Sequence, residues 1–127
     1  MMKILMASAL LMLPAAYALA DSPFDGTWTA EVVRPAPAPK QDLTITLSTD
    51  DKGKVTGKIA IAGGPTSDID WGFVKGDLIT FRVMLPFGKA TVEFVHVGRV
   101  DGNKLMLGRR PEDLTQGRLV EFVASKS

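Results

Sequence analysis

Apolar and polar residues alternate along most of this chain with the period of two that marks half-buried β-strands. The clearest pattern occurs twice. Gly72-Phe73-Val74-Lys75-Gly76-Asp77-Leu78-Ile79-Thr80-Phe81 returns as Gly98-Arg99-Val100-Asp101-Gly102-Asn103-Lys104-Leu105-Met106-Leu107, and both copies read G-x-V-x-G-[D/N]-x-[I/L]-x-[F/L]. Glycine followed by Asp or Asn between two alternating runs predicts a tight β-hairpin, because such loops need a positive φ that glycine adopts without strain. Across a loop of even length, paired residues face the same side of the sheet. Val74, Ile79, Gly72 and Phe81 are therefore expected to point inward, with Val100, Leu105, Gly98 and Leu107. Trp71, Phe73, Thr80 and Arg82 fall on the opposite face, with Val97, Arg99 and Met106. A bulge between the turn and these positions would invert the assignment.

The remaining chain reads in the same way. Gly26 to Val33 is a first strand, with Trp28, Ala30 and Val32 on one face. Pro35-Ala36-Pro37-Ala38-Pro39 interrupts it with a stiff connection that lacks backbone donors. Leu43 to Leu47 alternates aliphatic and hydroxyl residues. Asp50 to Gly53 turns the chain, and Val55 to Ile61 runs back with Gly57 as a candidate bulge. Ala62 to Ser67 is an irregular loop. The two hairpin copies are joined by a turn at Pro86-Phe87-Gly88 and the strand Ala90 to Val97. Arg110 to Gln116 forms the last long loop, and Leu119 to Ala124 closes the chain. About eight strands with short connections and no helix imply an all-β antiparallel meander. Rolling it into an up-and-down barrel removes its exposed edges, and a barrel of that size holds side chains or one small ligand.

The start of the chain belongs to a different class of segment. Lys3, the apolar run Ile4 to Leu13 and the small-x-small triplet Ala18-Leu19-Ala20 form a secretory signal peptide over residues 1–20, cleaved before Asp21. A membrane anchor would need about 20 unbroken apolar residues, and Pro14 interrupts the run. Residues 21–127 then form one small domain, secreted or periplasmic, with no membrane span. The chain has no cysteine, so this exported domain relies on its core rather than on disulfides. Lys and Arg total 15 against 14 Asp and Glu. With Lys3 set aside the charges balance, which leaves no field to steer the protein onto nucleic acid.

Gly26-Thr27-Trp28 near the mature start, the two G-x-V-x-G-[D/N] hairpins, and Gly117 with Phe122-Val123-Ala124 at the end resemble a group of small secreted bacterial β-proteins of uncharacterised function. That resemblance spans nearly the whole mature chain and implies a self-standing module without bringing an activity. Gly26 and Trp28 opening an eight-strand meander are also similar to lipocalin and avidin barrels, which bind ligands. In lipocalins a late-strand arginine packs on the tryptophan; Arg109 and Arg118 both qualify for that place. The serine, asparagine and tyrosine pattern with which avidins hold biotin is not found.

Few residues point to catalysis or metal binding. One histidine, no cysteine and no carboxylate pair at ligand spacing give no metal site, and Asp50-Asp51 before Gly53 reads as a turn. No cofactor motif occurs, since Gly63-Gly64-Pro65 opens no helix. His96 falls on the inner face in the row Val92, Phe94, His96, Gly98, Val100, either as a packed core residue or as a polar anchor in a cavity. Asp68, Asp70, Glu93 and Glu121 lie on or near strands and keep a carboxylate-dependent hydrolase in view.

The leading expectation is a non-enzymatic binding module for a small, largely apolar molecule, with Trp28, Phe81, Phe94 and His96 as wall residues and arginines at the mouth. The alternative is an interaction protein that meets an extracellular protein or carbohydrate through Trp71, Phe73 and Arg82, extended by Met84, Val95 and Val97. A guanidinium over an exposed indole contributes about 0.5–1 kcal/mol. The bland reading is that Trp71 and Phe73 are covered.

Overall fold

The computed structural model of the protein describes residues 22–34 and 37–127. The expected signal peptide lies outside the described residues, as do Pro35 and Ala36 of the proline-rich connection. Eight antiparallel strands follow one another: β1 (Gly26–Val32), β2 (Gln41–Thr49), β3 (Val55–Ile61), β4 (Thr66–Lys75), β5 (Leu78–Phe87), β6 (Ala90–Asp101), β7 (Lys104–Pro111) and β8 (Val120–Lys126). Each pairs with the next, and β8 pairs back to β1 through Ala30 and Ala124, so the meander closes into a barrel. A single 3₁₀ turn, Leu114–Gln116, is the only helical element among the described residues.

The repeated hairpins form as their sequence dictates. Two-residue loops, Gly76-Asp77 and Gly102-Asn103, join Lys75 to Leu78 and Asp101 to Lys104. Each glycine has a positive φ, +63° and +62°, and the residue after it does not, which is the pattern of a type II′ turn. A third turn of the same kind uses Gly88-Lys89: β5 continues through Pro86 and Phe87, and Phe87 pairs with Ala90, so the turn falls one residue beyond the predicted one.

Register then fixes the interior. Gly72 pairs with Phe81, Val74 with Ile79, Gly98 with Leu107 and Val100 with Leu105. Phe81, Ile79, Leu105 and Leu107 are buried, and Val74 and Val100 pack against them. A side chain at Gly72 would meet Val55 Cβ at 2.8 Å, so β3 and β4 approach closely where glycine removes the obstacle. Gly57 is not a bulge, because the β2–β3 register runs unbroken through its pairing with Leu47. It is nonetheless a required glycine: its φ is +150° and a Cβ there would run into the Thr46 carbonyl. The break in register lies between Ile69 and Trp71. Asp70 is the extra residue, which returns Ile69 to the interior and leaves Trp71 outside. The bulge sits beyond the positions whose facing it would have reversed.

The two ends of the barrel differ. At the end carrying the β2–β3, β4–β5 and β6–β7 turns, Phe24 folds under the strands and is 1% exposed; its carbonyl accepts a 2.9 Å hydrogen bond from the Trp28 indole. Asp25 pins this segment by accepting from the Thr49 amide at 2.8 Å. Asp50 accepts from the amides of Lys52 and Lys54, so the Asp50-Asp51 segment is a closed turn. At the opposite end β5–β6 keeps its two-residue turn, but the segments joining β1 to β2 and β7 to β8 are longer, and the barrel stays open there.

Candidate functional site

The inner face of β7 alternates Leu105, Leu107, Arg109 and Pro111, all buried. Toward the open end this row changes from aliphatic to cationic. Arg109 is 6% exposed, and its guanidinium lies 5.5 Å from the Phe94 ring and 5.9 Å from the Phe122 ring. Its Nη2 donates to Gln41 Oε1 at 2.9 Å, while its buried Nη1 has no partner among the described residues. Burial first, and the positive charge of Arg34 second, lower its pKa to about 10, so it remains protonated at neutral pH.

Above Arg109 opens a cavity of about 490 Å³, walled by Ile61, Leu85, Phe87, Phe94, Leu114 and Val120 and rimmed by Arg34 and Arg118. β5 and β6 contribute the aromatic side, where the Phe87 and Phe94 rings meet edge to face with centroids 6.2 Å apart. Arg34 is tied back by Nε and Nη2, both donating to the Pro39 carbonyl. The β7–β8 connection is shaped by Asp113, whose carboxylate accepts from the amide and hydroxyl of Thr115. Among the described residues, no carboxylate lines this cavity.

The four expected wall residues separate in depth. Phe94 lines the cavity. Trp28, Phe81 and His96 lie below it in the packed interior, each with no exposed surface. His96 stacks flat on Phe81, with ring centroids 4.6 Å apart and planes 5° from parallel, and sits in register with Arg109. Neither ring nitrogen has a hydrogen-bond partner among the described residues. Burial above all, and the Arg109 charge next, depress its pKa from 6.5 to about 3; the nearby Phe94 and Phe81 carbonyls favour the proton but do not reach hydrogen-bond geometry. His96 is thus neutral and part of the core. The cation over Trp28 is neither Arg109 nor Arg118 but Lys126, whose Nζ is 5.2 Å from the indole centroid, because β8 meets β1 with Lys126 opposite Trp28.

Sequence reasoning placed arginines at the mouth without saying which, and it did not include Gln41, Leu85 or Val120. The signal for Arg109 is its parity with Leu105 and Leu107. β7 runs on through Pro111 instead of yielding to a loop at Arg110, which carries that parity to the rim.

The outer wall is also resolved. Trp71 is 52% and Phe73 41% exposed, with the Arg82 guanidinium 5.6 Å from the indole centroid. Arg82 is shared with Glu112, 3.2 Å away. A shallow groove further round is lined by Val95, Val97, Met106, Gly108, Leu119 and Val123. Glu93 lies beside Glu112 and Asp70 on this wall, and partial burial followed by their charges raises its pKa. Among the described residues, no cluster of three His, Cys, Asp or Glu side chains is placed to hold a metal, and no helix is long and apolar enough to cross a membrane.

No protein family matches the chain, and no curated protein matches it at a significant level.

Proposed function

We propose that this protein is a secreted or periplasmic binding module, without catalytic activity, that takes one small and largely apolar ligand into the open end of its barrel. The observation that carries this reading is the cavity of about 490 Å³ above Arg109. Its size falls in the usual range for small-molecule pockets, and its composition of apolar walls with a few convergent polar groups is the usual one. Closure of the far end by Phe24 leaves a single entrance. The residues beneath it, Trp28, Phe81 and His96 among them, are fully buried, so the site lies at the mouth and ligand entry requires no opening of the barrel.

Native mass spectrometry of protein purified from its own source is the first test. A retained small molecule that is lost when Leu85→Trp fills the cavity is the expected result. Ligand-free protein in repeated preparations, together with retention of a protein partner, favours the second reading.

That second reading is an interaction module acting through Trp71, Phe73 and Arg82, and the exposure of both aromatic rings supports it. Flat aromatic surface beside a guanidinium suits a carbohydrate ring or a protein partner. A hydrolase ranks third: Asp70 and Glu93 do approach each other, but on the outer wall and away from the cavity.

A further inference from the structure

We infer that the open end of the barrel selects a single oxyanion carried on an apolar tail, with Arg109 Nη1 as the donor to the anionic oxygen. This rests on the reading of the cavity as a ligand site and narrows the ligand to one chemical class.

Three observations converge on it. The first is charge: three guanidinium groups, those of Arg34, Arg109 and Arg118, surround the cavity, and among the described residues no carboxylate does. Three cations elsewhere on the barrel do pair with acids: Lys40 with Glu31, Arg82 with Glu112 and Arg99 with Asp77. The mouth is therefore a local positive region on a protein whose net charge is close to zero, and such a region attracts anions at low ionic strength.

The second is orientation. Gln41 accepts from Nη2, and the Phe94 and Phe122 rings lie 5.5 and 5.9 Å from the guanidinium carbon, so the group is held before any ligand arrives. Nη1 remains buried with no hydrogen-bond partner among the described residues. A buried charged donor in that state is costly, and an oxyanion completes its hydrogen bonding with a charge-assisted bond. A neutral ligand leaves Nη1 unpaired, and a cation meets three like charges.

The third is the surface around the charge, which is apolar: Leu85, Phe87, Phe94, Leu114 and Val120. A bare inorganic ion would leave these walls uncovered. At about 30 Å³ for each water-sized group, a cavity of about 490 Å³ holds roughly sixteen such groups, which suits a carboxylate with a tail of about ten carbons.

Isothermal titration calorimetry on the folded protein at pH 7 and low salt tests this with four probes: decanoate, decan-1-ol, decyltrimethylammonium and acetate. Decanoate is expected to bind at least tenfold more tightly than decan-1-ol, with no detectable binding of the ammonium or of acetate. Arg109→Met keeps the unbranched apolar stem of the side chain and removes the guanidinium, and should bring decanoate and decan-1-ol to equal affinity. Equal binding of the two in the wild type would overturn the anion inference while leaving the cavity reading intact. Failure of both to bind would remove both. A preference for decanoate that survives in Arg109→Met would overturn the role given to Arg109. Should that variant fail to fold by circular dichroism, Arg118→Gln on the exposed rim replaces it. It is expected to weaken decanoate severalfold without affecting decan-1-ol, and an unchanged decanoate affinity together with no salt dependence would overturn the inference.

Discussion

His96 shows how a polar residue can be built into this barrel without serving the site. Its imidazole is fully buried, stacked on Phe81 and without hydrogen-bond partners among the described residues. The unfolded chain takes up a proton at this ring below about pH 6.5, whereas the folded chain does not until about pH 3. Stability is therefore lost as pH falls through that window, with a contribution from this group of about 1.4 kcal/mol per pH unit. His96→Leu removes the titration along with two unsatisfied nitrogens, so at pH 7 it should be neutral or mildly stabilising. Urea denaturation of the wild type and the variant at pH 7, 5.5 and 4 should show a gap that widens in favour of the variant. Parallel pH profiles would contradict the burial of a neutral ring. Trp28→Ala, by contrast, should cost about 3–5 kcal/mol, since the indole fills the closed end and its N–H is paired with Phe24. The facing of His96 was legible from alternation along β6. Its stacking on Phe81 was not, because that depends on the register of β5 against β6 and on both rings lying at one level of the barrel.

At the scale of elements, the turns were the most readable part of the sequence, since a two-residue loop with glycine first has few conformational solutions. Gly102→Ala places a side chain at φ +62° and should cost about 1–2 kcal/mol. Gly57→Ala should cost more, because the new Cβ also meets a backbone carbonyl on β2 that cannot move without breaking the ladder. Chemical denaturation of the two variants checks that order, and equal losses would contradict it. The bulge at Asp70 was not legible, since nothing in Ser67-Asp68-Ile69-Asp70-Trp71 distinguishes an extra residue from a regular strand. It matters nonetheless, because it lets Ile69 face inward while Trp71 keeps its contact with Arg82. The strand that carries Arg109 proved longer than its polar end suggested. Arg110 pairs with Val95 on the outer wall and Pro111 with Phe94 inside, so a residue pattern that reads as loop completes the rim of the cavity.

At the scale of the whole molecule, the cavity and the readable hairpin turns lie at opposite ends of the barrel axis. The repeated hairpins that make the fold readable put their turns at the closed end, beneath Phe24 and Trp28. The cavity lies at the other end, where Arg34, Gln41, Leu85, Arg109 and Val120 converge from strands and connections distant in sequence. No local motif announces such a site, because each residue contributes only through closure of the sheet. Leu85→Trp should fill the cavity and abolish uptake of any small apolar probe; because Leu85 is 2% exposed, the added volume should also cost about 1–3 kcal/mol of stability. The most direct measurement is an amide chemical-shift titration of the wild-type protein with octan-1-ol, a neutral probe that does not depend on the charge of Arg109. Shifts confined to residues around Leu85, Phe94, Arg109 and Val120 are expected. Shifts centred on Trp71 and Phe73, or none up to the solubility limit of the probe, would contradict a ligand site at the barrel mouth.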